Sequence, residues 1–170
     1  KQLLRILITS QITRKKSPRV LLLKSFDKNG FVFYTNYDSR KGVELSKNPH
    51  AALVFDWHVM GRQVRIEGVV KKVSEKESDK YFNSRPGKSQ MGAWISPQST
   101  FIDNRQELDD RHTMLKNDFK VRPITRPPNW GGFVLEPHTI EFWQGRQSRL
   151  HDRLIYIKTE DKWILRRLAP

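Results

Sequence analysis

The sequence contains no cysteine. That absence excludes a disulfide framework, thiol nucleophiles, zinc–thiolate centres and cysteine-held iron–sulfur clusters. No apolar run approaches the roughly 20 residues needed to cross a bilayer as a helix, so no membrane partner is expected. There is no Gly-x-Gly-x-x-Gly, no Walker loop and no Gly-x-Ser-x-Gly elbow, which leaves a Rossmann site, a P-loop and a hydrolase nucleophile without support. The five histidines, at 50, 58, 112, 138 and 151, show no metal-ligand spacing. The chain opens on Lys1 rather than Met and carries no leader of charged then apolar residues. The expectation is a cytoplasmic fragment or processed product whose true start lies upstream.

Acid is also scarce. Against 32 Lys and Arg stand 18 Asp and Glu, a formal charge of +14. Such an excess suggests a polyanionic partner, nucleic acid first. The acids are nevertheless interspersed, and the only dense basic run is Arg14-Lys15-Lys16. A solvated surface rich in Lys explains the same number. The length of 170 residues fits one domain, residues 1–170, and a 36% hydrophobic content with five Trp, nine Phe and four Tyr can build a core. A disordered basic tail has neither.

Strand-like runs dominate. Leu4–Thr9, Val20–Phe26 and Phe31–Asn36 are apolar and β-branched, and Asp27-Lys28-Asn29-Gly30 joins the last two. Asn-Gly predicts a hairpin turn with positive φ at both residues. Ala51–Asp56 and Arg62–Lys72 predict a second hairpin across Trp57–Gly61, and Gly131–Glu136, Thr139–Trp143, Leu150–Lys158 and Trp163–Leu168 four further strands. Three helices are expected. Ser39 caps Arg40–Lys47, which Asn48-Pro49 ends; Ser74-Glu75-Lys76-Glu77 forms a capping box for a helix that stops before Pro86; Asp103–Gln106 opens a helix carrying Leu108, Leu115 and Phe119. Many short strands and few helices predict a mainly β fold, a closed or split barrel with flanking helices.

Three groups of residues stand out. Ser39-Arg40-Lys41 places two cations in the first turn of a helix, where the dipole favours anions; a bound phosphate would resolve the conflict, and an exposed basic turn is the plainer alternative. Arg149, His151 and Arg153 alternate, so on one strand they share a face and repel unless something anionic or electron-rich lies above them; a solvent-facing edge strand is the alternative. His151 and Asp152 would then point apart, against an acid–base dyad. Tyr81, Arg85 and Ser89 recur at i, i+4 and i+8 around Pro86, which predicts a helix end, a break and a new helix start suited to a second phosphate.

These pieces, in this order, resemble the FMN-dependent pyridoxine/pyridoxamine 5′-phosphate oxidases. The matching text includes Arg19-Val-Leu-Leu-Leu-Lys24, Phe33-Tyr-Thr-Asn36, Ser39-Arg-Lys-Gly42, Arg62-Gln-Val-Arg-Ile-Glu-Gly68 and Tyr81-Phe-Asn-Ser-Arg-Pro86. It continues with Ser89-Gln-Met-Gly-Ala-Trp94, Gln98-Ser99, Trp130-Gly-Gly132, Ile140-Glu-Phe-Trp-Gln-Gly145, Arg149-Leu-His-Asp-Arg-Leu154 and the closing Arg167-Leu-Ala-Pro170. The resemblance runs from about Leu7 to the end. It implies an FMN-binding split β-barrel and a homodimer with FMN at the subunit interface. It assigns FMN to Arg19, Val20, Leu21, Leu22, Tyr34, Thr35, Arg40, Lys41, Gln63, Gln98, Ser99, Trp143 and Arg153. It assigns the B6 phosphate substrate to Lys24, Tyr81, Arg85, Ser89, Arg149, Leu150 and His151, with Arg149 and His151 in catalytic roles. Molecular oxygen is the implied acceptor. The Ile12–Pro18 loop lacks the Asp-Gly turn usual in that family, Pro18 replaces a small residue, Phe133 stands where Tyr is common, and the helix before the first strand is absent.

Two other classes stay open at this point: a basic barrel that binds single-stranded nucleic acid, and a split-barrel flavin reductase or non-catalytic binder of FMN or pyridoxal phosphate. Aromatics at core-like alternating positions argue against the first. The Arg149/His151 pair together with Tyr81, Arg85 and Ser89 favours the oxidase over the second.

Overall fold

A computed structural model describes residues 5–10, 17–160 and 162–170. In chain order the elements are β1 (Arg5–Ser10), β2 (Arg19–Leu22), β3 (Ser25–Asp27), β4 (Gly30–Asn36), α1 (Arg40–Lys47), β5 (His50–Trp57) and β6 (Arg62–Lys72). There follow α2 (Glu75–Asn83), α3 (Gly87–Ile95), α4 (Gln106–Val121), β7 (Trp130–Gln144), β8 (Asp152–Lys158) and β9 (Trp163–Leu168), with 3-10 turns at His58–Met60 and Gln147–Arg149. The sheet runs β2-β1-β5-β6-β7-β4-β3, with β8 pairing β7 and β9 pairing β8. The registers of β1 with β2 and β5, of β5 with β6 and of β8 with β7 and β9 are all antiparallel. The basic run Arg14-Lys15-Lys16 and most of the Ile12–Pro18 loop lie outside the described residues.

The chain forms two compact units. The first holds the chain up to Phe33, Glu44–Lys71 and Val134–Pro170; the second holds Tyr34–Val43 and Lys72–Phe133. In the first unit β5 shows the period of a half-buried strand: Ala51, Leu53 and Phe55 are buried while their neighbours are not. Leu53, Ile66 and Leu135 are essentially inaccessible, and burying each such side chain stabilises the fold by about 1.5–3 kcal/mol. Phe82, Trp130 and Phe133 form the buried centre of the second unit.

The helix caps follow the sequence. The Ser74 hydroxyl accepts the Glu77 amide at 3.2 Å, and Asn104 Oδ1 accepts the Glu107 amide at 3.3 Å. Pro86 separates α2 from α3 in an extended conformation, with φ −55° and ψ 141°.

Four expectations need correction. The run Val20–Phe26 is not one strand: it is divided into β2 and β3. Conversely, Gly131–Glu136 and Thr139–Trp143 belong to the single strand β7, which continues through Pro137. Proline lacks an N–H, but its fixed φ lies close enough to extended backbone for the strand to continue with one donor missing. In the β3–β4 hairpin Asp27 pairs with Gly30, so the turn residues are Lys28 and Asn29, and Asn29 does not take positive φ. The Asp27 carboxylate instead accepts the Asn29 amide at 2.7 Å, an Asx turn. Gly30, with φ 139°, is needed because a Cβ there would lie 2.1 Å from the Leu135 carbonyl oxygen. The fourth is Arg149, which lies in the turn before β8 and not on a strand.

Candidate active site

The predicted site residues divide between the units. In the second, α1 begins at Arg40 behind a buried Ser39. The two cations of the first turn diverge: Arg40 is exposed, whereas Lys41 is 6% exposed. The Lys41 ammonium donates to Thr35 Oγ1 at 2.7 Å, Gln98 Oε1 at 2.9 Å and Ser39 Oγ at 3.0 Å. An ammonium carries three protons, so three neutral oxygens match its donor capacity and ease the conflict with the helix dipole. The Ser39 hydroxyl in turn donates to the Asn36 carbonyl at 2.7 Å. Gln98 reaches this cluster from a tight turn in which Ser99 takes φ 70°. Thus Thr35 and Lys41, near each other in sequence, meet Gln98 from 57 residues further along the chain.

The second unit also holds an aromatic stack. Tyr34 lies on Tyr81 with centroids 3.9 Å apart, and Trp130 stacks on Tyr34 at 5.5 Å. Burial, and then the charge of Glu77, pushes the Tyr34 phenol up to about 12. The Arg85 guanidinium carbon sits 4.6 Å from the Trp130 centroid and 5.5 Å from that of Phe82, the geometry of cation–π attraction. Its Nη1 is buried with no hydrogen-bond partner, and burial lowers the pKa of this guanidinium. The break between α2 and α3 is fixed by Gln90, whose amide donates to the Arg85 carbonyl at 2.9 Å and the Asn83 carbonyl at 3.3 Å. Ser89 lies exposed in the first turn of α3.

In the first unit Arg19 donates through Nη2 to Glu44 at 3.1 Å and also to the Ser17 hydroxyl. Its Nε is buried without a partner; with Arg85 Nη1 it makes the pair of such side-chain atoms among the described residues. Val20 and Leu22 point outward while Arg19 and Leu21 are half-buried; Lys24 is exposed. Gln63 and Trp143 line one open cleft of about 550 Å³ with Arg62, Arg146, Asp152 and Arg167. Glu141, buried on β7, accepts Arg153 Nε at 2.8 Å and Arg65 Nη1 at 3.3 Å. That carboxylate raises the pKa of Arg153.

Arg149, His151 and Arg153 do not share a strand. β8 starts only at Asp152; Arg149 ends the 3-10 turn, and Ser148 and Arg149 take φ 55° and 60°. Left-handed backbone is incompatible with a strand and costs an L-residue about 1–2 kcal/mol. Arg149 and Leu150 are therefore presented by a turn, both exposed. The His151 ring lies 4.7 Å from Trp143, with the planes inclined by 51°. His151 precedes the strand, so strand alternation does not separate it from Asp152; the Asp152 carboxylate is instead engaged by Arg146 and Arg167, each at 2.7 Å.

Sequence reasoning gave no role to Trp130, Glu141 or Asp152. All three stand in stretches that resemble the family. A carboxylate beside Ile140 and Phe142 in an apolar strand was the available sign that a buried partner existed.

Residues 6–116 match the family described as Pyridoxamine 5′-phosphate oxidase, and residues 130–170 match the Pyridoxine 5′-phosphate oxidase C-terminal dimerisation region. The pyridoxine/pyridoxamine 5′-phosphate oxidase of Gloeothece citriformis is 57% identical over 157 residues, 92% of this chain and 73% of that protein. The protein of the same name from Acaryochloris marina is 55% identical over 164 residues, 96% of this chain and 75% of that protein. Among solved structures, PhzG from Burkholderia lata, in complex with tetrahydrophenazine-1-carboxylic acid, superposes with a TM-score of 0.92 at 30% identity, covering 100% of this chain and 84% of that one. A pyridoxamine 5′-phosphate oxidase-related, FMN binding protein from Nostoc punctiforme shares the fold at a TM-score of 0.78 and 16% identity, covering 98% of this chain and 88% of that one. With its mainly β split-barrel architecture and family matches along most of its length, the chain belongs to the pyridoxine/pyridoxamine 5′-phosphate oxidases, a family of oxidoreductases.

Proposed function

We propose that this protein oxidises pyridoxamine 5′-phosphate or pyridoxine 5′-phosphate to pyridoxal 5′-phosphate, using FMN, with O2 as electron acceptor and H2O2 as product, and with ammonia released from the amine. The observation that carries this reading is Arg85: a buried guanidinium nitrogen without a partner, next to a helix break and an aromatic stack. A buried unpaired donor costs roughly 1–3 kcal/mol, and a phosphate oxygen would satisfy it with a charge-assisted bond.

The chain also suits FMN. Arg19 holds a second unpartnered buried donor, Nε, and Arg40 stands exposed at the start of α1, where the positive end of the helix dipole favours a phosphate dianion. Lys41, Thr35 and Gln98 form a ready polar cluster behind it. In this reading Arg19, Val20, Leu21, Leu22, Tyr34, Thr35, Arg40, Lys41, Gln63, Gln98, Ser99, Trp143 and Arg153 hold FMN. When bound, FMN supplies the acceptor for the hydride leaving the substrate's C4′ carbon. The protein's own part is positional. Lys24, Tyr81, Arg85 and Ser89 grip the substrate phosphate, while Arg149, Leu150 and His151 orient the pyridine ring. No protein nucleophile is required, in keeping with a chain that has no cysteine.

A homodimer is part of the proposal. Ile157, Trp163 and Leu165 of β8 and β9 are 41%, 40% and 50% exposed, within the stretch that matches the dimerisation region. Trp163 and Leu165 alternate on β9 and so share one face, and an exposed apolar pair of this kind suits burial against a second copy.

The test is anaerobic addition of pyridoxamine 5′-phosphate to FMN-loaded protein. Loss of the flavin absorbance, restored by admitting air, is the expected result; a spectrum that stays oxidised overturns the reading.

A further inference from the structure

The turn that carries Arg149 needs an explanation for its shape. Ser148 and Arg149 are two successive non-glycine residues with positive φ, 55° and 60°. Such backbone persists only where its surroundings over-determine it. Four hydrogen bonds flank this turn. The Gly145 amide donates to the Gly61 carbonyl at 2.8 Å and anchors the entry. At the exit, Asp152 uses its two oxygens separately: Oδ2 accepts Arg146 Nε and Oδ1 accepts Arg167 Nη1, both at 2.7 Å. Between them, the Arg146 backbone N–H donates to His151 Nδ1 at 3.1 Å.

The last contact has a chemical consequence. A nitrogen that accepts a hydrogen bond carries no proton, so the ring proton of His151 resides on Nε2. The ring is also held against Trp143, with centroids 4.7 Å apart. His151 is thereby set as a donor at Nε2. The setting depends on where the Arg146 backbone lies, and Arg146 is tied by its side chain to Asp152.

We infer that Asp152 is a positioning residue for the reaction: by clamping Arg146 and Arg167 it fixes the turn that presents Arg149 and holds His151 as the Nε2–H tautomer, a hydrogen-bond donor to the substrate. The inference rests on the proposed function in one respect, that Arg149 and His151 face the substrate. Asp152 itself touches neither substrate nor cofactor in this scheme. Its carboxylate needs both oxygens unprotonated to serve two guanidinium groups, and an amide offers only one acceptor. Asp152→Asn therefore releases one arginine and replaces its contact with a donor-to-donor clash.

The experiment uses the FMN-loaded enzyme with ¹⁵N-labelled histidine, the His151 signals being identified by their absence in His151→Asn. Wild type should show Nδ1 as the unprotonated and Nε2 as the protonated nitrogen. In Asp152→Asn the two signals should move toward each other as the tautomers mix. kcat/KM for pyridoxamine 5′-phosphate should fall by about 10- to 100-fold, since misplacing a reacting group by about 1 Å costs up to that order; FMN content should stay at the wild-type level. Arg146→Ala, which keeps the backbone amide but loses the tether, should shift both readouts the same way, so a poorly folding Asp152 variant does not end the test. If the His151 signals of both variants match wild type, the inference is overturned, whatever happens to the rate. Unchanged kcat/KM in both variants overturns it as well. Arg149→Ala separates the two levels: activity lost there but kept in Asp152→Asn refutes only the positioning role. Activity kept in Arg149→Ala refutes the substrate placement beneath it.

Discussion

Arg85 lies with its guanidinium carbon 4.6 Å from the centroid of Trp130, while its Nη1 is buried and unpartnered. The ring attracts the cation, but no hydrogen-bond acceptor meets that nitrogen. A ligand oxygen is what the arrangement lacks. Arg85→Ala should therefore weaken binding of pyridoxal 5′-phosphate, as charge-assisted bonds contribute about 1.5–3 kcal/mol, a factor of about 10–150. FMN affinity should stay within twofold. Titrating the product into FMN-loaded protein checks both; equal weakening for pyridoxal, which has no phosphate, would place Arg85 elsewhere than at the phosphate.

Tyr34 offers a pH test. Burial and then the Glu77 charge push its phenol from 10.0 up to about 12. Below pH 10 the folded and unfolded chains both keep this proton, so the favourable state of Tyr34 is fully present. Above it the unfolded chain releases the proton while the folded chain retains it, and stability falls as pH rises toward about 12. An ultraviolet phenolate titration of wild type minus Tyr34→Phe should show one step near 12. A difference step at the ordinary value for tyrosine would mean that the stack with Tyr81 does not exclude water.

The exposed apolar residues of β8 and β9 give a prediction about assembly. Leu165→Glu puts a charge where an apolar contact between two copies is proposed, and a buried unpaired charge is strongly disfavoured. Sedimentation should show a monomer, or a dimer that dissociates at much lower concentration. Circular dichroism should be unaltered, because Leu165 is half exposed in the single chain. A variant dimer as tight as wild type would move the interface away from these strands.

Features with short-range causes were legible in the sequence. Ser39 and Ser74 announced two helices because a hydroxyl at an N-cap acts on amides two or three residues away. Pro86 announced the break beside Arg85 because its ring restricts the preceding residue. The cluster of Lys41, Thr35 and Gln98 needed the family resemblance, since 57 residues separate Lys41 from Gln98. Arg149 was misplaced on a strand because the alternation Arg149-Leu150-His151-Asp152-Arg153 looks like one. Its actual left-handed backbone is imposed by Asp152, Arg146 and Arg167 around it, and Arg167 lies on a different strand. Arg146 and Asp152 are near in sequence, but the second arginine of the clamp is not, and the local alternation does not reveal it. Glu141 escaped for the same reason: its partners Arg65 and Arg153 come from β6 and β8.

Glu141 supports the final prediction. Its buried carboxylate serves two guanidinium groups, one oxygen each: Oε1 for Arg153 and Oε2 for Arg65. Arg153 also donates through Nη1 to the Ala169 carbonyl at 3.0 Å, so in the proposed FMN site Nη2 is the nitrogen that would meet the cofactor. Glu141→Gln keeps the shape but supplies one acceptor and an NH2 group. Only one arginine can be satisfied, and the other faces a donor. FMN affinity should fall by roughly tenfold, the effect of losing about 1.4 kcal/mol of orientation at Arg153. Arg65 is the competitor. Adding Arg65→Met removes it, so the remaining Gln oxygen can turn to Arg153 and FMN affinity should recover most of the loss. Fluorescence titration of FMN into the single and double variants decides the matter: a double variant as weak as the single would mean that Glu141 acts through its charge at a distance and not by aiming Arg153.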